Sequence, residues 1–243
     1  MSSWSLYGSV KLTMVKKIKI SGAIRDFVFG MEDGLVSNLG LVLGVYVGGA
    51  GSYAVLLAGL ASMFAGAFSM SAGSYLSAKS QREVYEQEIA VTRKNLEKNP
   101  KLCMQEMKNI LKLEGLGVKE IETLFKKSSK YKHPKFVCNY MVQKKVGISK
   151  EKLDLPVKNA LTMFFSFLVG SFFPIAPFIF LNSSSWAPVL AVILTVIALF
   201  LVGWAKTVYT KLNWLKSGLE IVFIGIGAGI LGYLVGLILR AIS

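Results

Sequence analysis

The chain has 243 residues, 53% of them hydrophobic, and a mean hydropathy of +0.53, too apolar for a domain that must cover its core with polar surface in water. Its net charge of +14, from 28 Lys and Arg against 14 Asp and Glu, is confined to particular stretches, so it marks the loops of a membrane protein and argues against a nucleic-acid partner.

Residues 1–22 hold Lys11, Lys16, Lys17 and Lys19 but no apolar core ending in a small-residue cleavage site, so the first span is expected to anchor itself. No charged residue falls between Gly34 and Ala78. A spanning helix needs about 20 apolar residues, so this run predicts two spans hinged near "VGGAGS". A second uncharged run, Asn159–Ala205, predicts two more hinged near "NSSSW", and Ser217–Leu239, with Glu220 alone, predicts a fifth. The fold class is therefore an all-α membrane protein with five transmembrane helices and a helical cytoplasmic insert between spans two and three. The expected division is 1–78, 79–158 and 159–243.

The insert reads as helices throughout. "QREVYEQEIAVTRKNLEKN" continues span two into water, Pro100 opens a helix to about Leu113, and Gly115 and Gly117 break it. "VKEIETLFKKSSK" resumes the pattern, and Pro134 opens another segment before Gly147. Cys103 and Cys138 both lie in this charged segment and fit a reducing compartment with no disulfide framework.

Lys and Arg number five before span one, nineteen in 79–158, three between spans four and five and one after span five. The hinges at Gly49 and at 182–186 have none. Basic loops stay cytoplasmic, so the N-terminus is expected inside and the C-terminus outside, with the basic surface touching anionic lipid.

Glycines recur at helical spacing within the spans: Gly40, Gly44 and Gly48, then Gly225 and Gly229, then Gly232 and Gly236. Such faces let backbones approach closely, within one bundle or between two subunits.

Acids inside the spans need explanation. An ionised carboxylate near the bilayer centre costs roughly 2.5–3.5 kcal/mol on insertion scales, so it persists only beside a wet path, a cation or a proton. Asp33 is flanked by Gly30 and Gly34, which would let backbone approach a ligand or loosen the helix. Glu32 points about 100° away and reads either as an interfacial partner of Arg25 or Lys19 or as part of the same path. Glu220 stands four residues after Lys216, the spacing of an ordinary helical ion pair, with a proton or ion role as the alternative.

"FGMEDGLVSNLGLVLGV", followed by "AGAFSMSAGSYLSAKSQREVYEQE" and by "FPIAP" at Phe173–Pro177, resembles the vacuolar iron transporter family. The resemblance covers nearly the whole chain and implies export of Fe2+ or Mn2+ from the cytosol in exchange for protons, by a homodimer in a cell or vacuolar membrane. No permanently bound cofactor is implied; the metal is cargo. The family's signature acid falls on Asp33 and its span-two methionine on Met70, whose soft thioether suits a transition metal better than Ca2+ or Mg2+.

The chain departs from the family pattern at several of these positions. Many relatives have an Asp where Gly66 stands, and Gly-Glu-Tyr where this chain has Gly73-Ser74-Tyr75. Of the family's metal-gathering cluster on the cytoplasmic helices, one glutamate falls on Glu106 and others on Cys103, Thr92 and Asn95. A methionine falls on Met141, and its companion glutamate on Lys145. Cys103, Glu106 and Met141 together make a candidate thiolate, carboxylate and thioether site.

Glu83, Glu86 and Glu97 form a stripe in which Arg82 precedes Glu86, and Arg93 precedes Glu97, by four residues. That spacing favours salt bridges on a solvated helix, with metal gathering as the second reading for Glu83 and Glu86. His133 is a lone imidazole in a basic loop. Nothing resembles a phosphate-binding loop, a CxxC pair, a nucleophile elbow or a histidine cluster, so no enzyme chemistry is expected. The reading that competes with transport is a binding or scaffold protein of the same fold with a degenerate metal site.

Overall fold

The computed structural model describes residues 21–113, 115–127, 155–181, 185–211 and 213–242. Seven α-helices occur among them, and no strand: α1 Ser21–Val47, α2 Ser52–Lys98, α3 Pro100–Leu113, α4 Val118–Lys127, α5 Pro156–Phe180, α6 Ala187–Thr210 and α7 Trp214–Ile242. Five of them, α1, α2, α5, α6 and α7, are long and apolar enough to cross a membrane.

The chain divides into two compact units, Met1–Ser77 with Leu155–Ser243, and Ala78–Asp154, the boundary falling within α2. Helix α5 begins at Pro156, slightly ahead of the end expected for the insert. The proline is tolerated there because its missing N–H belongs to the first turn.

Helix ends follow from local chemistry. After Val47 the chain takes a left-handed step at Gly49, φ +90°. Gly49 N–H then donates to Tyr46 O, and Ala50 N–H to Val45 O. This closes the terminus in the pattern that glycine permits without Cβ strain, and it reverses the chain into α2. Gly115, φ +93°, ends α3 by the same pair of bonds to Lys112 O and Leu111 O.

In the first unit α1 is central and packs against α5, α6 and α7. Two apolar clusters fill the spaces between the helices. One gathers Leu39, Val42, Val55, Met63, Ile175, Phe178 and Ala191; the other gathers Met31, Leu35, Leu199, Val202, Ile221 and Val222.

Small residues set the crossings. A methyl group at Gly34 would lie 2.5 Å from Phe167 O, and one at Gly170 would lie 2.5 Å from Met31 O. Gly30 and Gly34 therefore seat α1 on α5, a packing role in place of the ligand-approach role expected from their position beside Asp33. Gly40 and Gly44 face Ala228 and Gly232 of α7. That glycine face closes a seam inside one chain, the first of the two readings its spacing allowed.

In the second unit α3 and α4 bury Met107, Leu111 and Ile121. Gly117 N–H donates to Glu120 Oε2 at 2.9 Å, capping the start of α4. The expected segment around Pro134 lies outside the described residues.

Candidate metal path in the spanning bundle

Asp33 sits two turns above Asp26 on α1, and seven residues make nearly two full turns, so the two carboxylates share a face. The two acids meet different surroundings. Asp26 is buried, 2% exposed. Its Oδ1 accepts from Arg25 at 3.0 Å, and its Oδ2 accepts from the Ser74 hydroxyl of α2 at 3.1 Å. The Ser166 hydroxyl of α5 reaches its backbone carbonyl at 3.4 Å. Asp26 thus ties α1 to α2, with its charge compensated.

Asp33 is half-buried, and among the described residues no basic side chain lies within ion-pair distance of it. The hydroxyl of Ser37 donates to Asp33 O, the backbone carbonyl, and not to its carboxylate.

Met70 is half-buried on α2. The Ser74–Asp26 bond fixes the register of the two antiparallel helices. Asp33 is about 10.5 Å along α1 from that bond and Met70 about 6 Å along α2, at 1.5 Å rise per residue. The carboxylate and thioether therefore stand at neighbouring depths on adjacent helices.

Two family departures acquire physical content. At Gly66 a methyl group would meet the Phe167 ring at 2.5 Å, so an aromatic ring fills the space that an aspartate there would need. At Ser74 the side chain donates to Asp26 where a glutamate would bring a second negative charge against it.

Glu32 is half-buried on a different face from Asp33. Arg25, expected as its partner, is engaged by Asp26, and Lys19 lies outside the described residues. The charges that act on Glu32 are Lys206 of α6, Asp33 and Glu220 of α7. Glu220 is exposed, and among the described residues no ion pair joins it to Lys216.

In the acidic stripe on α2, Glu83 and Glu86 are salt-bridged, while the Glu97 side chain, expected to pair with Arg93, lies outside the described residues. Arg82 holds Glu86 at 2.9 Å and Lys79 holds Glu83 at 3.8 Å. Glu106 is half-buried on α3. Cys103 falls on the backbone of the same helix, while Met141, Cys138, Lys145 and His133 lie outside the described residues. Among the described residues no group of three or more His, Cys, Asp or Glu is placed to hold a metal.

Two polar residues escape a reading by motif. The pairing of Asp26 was not legible, because it depends on Ser74 of another helix. Asn38 is fully buried; it donates to Ser171 Oγ at 2.9 Å and to Gly34 O at 3.3 Å, while its Oδ1 is buried without a partner. Four residues on from Gly34, it continues the face that meets α5.

Comparison with known proteins adds to this geometry. The chain matches the VIT family over residues 24–237. It is 31% identical to "Vacuolar iron transporter 1" of Arabidopsis thaliana, covering 83% of this chain and 80% of that protein. It is 30% identical to "Vacuolar iron transporter 2" of Oryza sativa subsp. japonica, over 83% and 81% of the two. With "Vacuolar iron transporter 1" of Tulipa gesneriana it shares 27% identity across 90% of this chain and 87% of the relative.

Proposed function

Because the chain belongs to the VIT family, we propose that it carries a divalent transition-metal ion, Fe2+ or Mn2+, out of the cytosol in exchange for protons. It is a membrane transporter and not an enzyme. The observation that carries the reading is Asp33: a carboxylate inside a spanning helix with no basic partner among the described residues and a thioether at neighbouring depth.

An uncompensated carboxylate in a low-dielectric span is stabilised by either a cation or a proton, and the two exclude each other. Asp33 binds the metal as it sheds water, Met70 adds a soft donor, and protonation of Asp33 releases the ion. One carboxylate and one thioether leave a transition metal under-coordinated, so a second copy supplies the remaining ligands and the working unit is a homodimer. With no nucleotide site, the proton gradient drives uphill flux. The N-terminus is cytoplasmic, and the host membrane bounds a cell or a vacuole.

The second reading, a binding or scaffold protein, is favoured by the Phe167 ring over Gly66 and by the serine at position 74, which remove two family acids. Proteoliposomes with an imposed pH gradient separate the two. Metal uptake with counterflow of protons is expected for the wild type and background flux for Asp33→Asn. Absence of flux from both proteins leaves the scaffold reading standing.

A further inference from the structure

The cytoplasm-directed half of the bundle, as the basic loops orient it, carries a groove of about 720 Å3 between α1 and α5. Its walls are Phe27 and Met31 on one side and Leu161, Phe165 and Val169 on the other, with Lys158 at the end nearest the start of α5. From Leu155 to Val169 is fourteen residues, about 21 Å of helix, and half of a hydrocarbon core of about 30 Å is about 15 Å. The groove therefore runs the depth of one leaflet, with a cation at its mouth.

The polar atoms of its walls are already satisfied. The Thr162 hydroxyl donates to Lys158 O at 2.9 Å, and the Ser166 hydroxyl donates to Thr162 O at 2.6 Å. The interior thus offers nothing to an ion or to a peptide backbone, whose polar groups need partners in this medium. Nor does it resemble a helix-docking seam. The α1–α7 contact is built from Gly40, Gly44 and Gly232, whereas here Phe27, Leu161, Phe165 and Val169 stand outward as bulky ribs. Across Phe27 lies a smaller groove, about 370 Å3, walled by Ala23, Ile24, Val28, Ala205 and Lys206.

We propose that this face binds one anionic phospholipid, its acyl chains lying on either side of Phe27 and its headgroup phosphate on the Lys158 ammonium. The site rests on apolar shape and on Lys158, since Lys206 of the smaller groove has the Glu32 carboxylate to face, and it stands independently of the metal reading.

The full-length protein, stripped of lipid in detergent and titrated with phosphatidylglycerol or phosphatidylcholine, is read by native mass spectrometry. Wild type is expected to prefer the anionic lipid about fivefold, the ratio equivalent to about 1 kcal/mol for one basic residue near an anionic surface. Lys158→Gln should bring the ratio to about one, and Lys158→Arg should keep it. Leu161→Trp, which fills the groove from its rim, should reduce retention of both lipids while the protein melts as a folded species. The proposal is overturned if Lys158→Gln retains the preference. It is equally overturned if a cysteine at position 161, with Cys103 and Cys138 replaced by serine, cross-links two copies in native membranes and so identifies the groove as a subunit contact.

Discussion

At the scale of single residues, the informative positions are those where this chain departs from its relatives. Gly66 is occupied in effect by Phe167: the ring stands where a side chain on α2 would go. An aspartate installed there must displace that ring, and overpacking of this kind costs typically about 1–3 kcal/mol. Gly66→Asp is therefore expected to lower the thermal midpoint in detergent and to add no metal flux. Gly66→Asp combined with Phe167→Ala is expected to recover part of the stability lost by the single aspartate and to raise flux above wild type. Contacting residues should show such coupling, so strictly additive effects on midpoint would rule out Phe167 as the occupant of that space.

The same scale shows what a sequence reader can and cannot see. Asp33 stood out from the residues themselves, because an acid in a greasy run demands a reason, whereas Met70 entered only through the family resemblance. The compensated state of Asp26 was not legible, since it depends on Ser74, forty-eight positions away on another helix. Asn38 was equally silent: its donor reaches Ser171 across 133 positions.

Between elements, glycines decide the geometry, and their consequences differ by position. Glycine faces four residues apart foretold close packing, and α1 and α7 meet backbone to backbone at Gly40, Gly44 and Gly232. Which partner each face meets required coordinates, because spacing gives a face and not its neighbour. Gly30 and Gly34 illustrate the limit; they look like a flexible cradle around Asp33 and instead press α1 onto α5. A clean comparison lies within α7 itself. A methyl at Gly232 runs into the Gly40 backbone, whereas one at Gly227 meets nothing within 4 Å. Gly232→Ala should destabilise by about 1–3 kcal/mol, while Gly227→Ala should be neutral or slightly stabilising, helix propensity favouring alanine by about 1 kcal/mol. Reversible unfolding in mixed micelles measures both. Equal effects would show that the α1–α7 seam tolerates separation.

For the whole molecule, the sequence foretold five spans, helical breaks at Gly49 and Gly115 and a long second helix, because each rests on local chemistry: charge-free length, a left-handed turn, an unbroken helical run. Orientation rests on a different physical term, the asymmetry of Lys and Arg, nineteen of which fall in 79–158 and none in the 48–51 turn. Five crossings are odd, so the start of α1 and the end of α7 are expected on opposite faces of the membrane. A green fluorescent protein fused after Ser243 should then be dark in a bacterial host and an alkaline phosphatase fused there active, with the opposite pair of results for fusions after Lys112. Reversal would place Lys158 and the Asp26 end of α1 outside the cytosol. The Lys158 groove would then lie in the outer leaflet, whereas exchange against the same proton gradient would keep its direction. The fusion pair therefore tests which face of the membrane the basic loops and the Asp26 end of α1 occupy, independently of any metal assay.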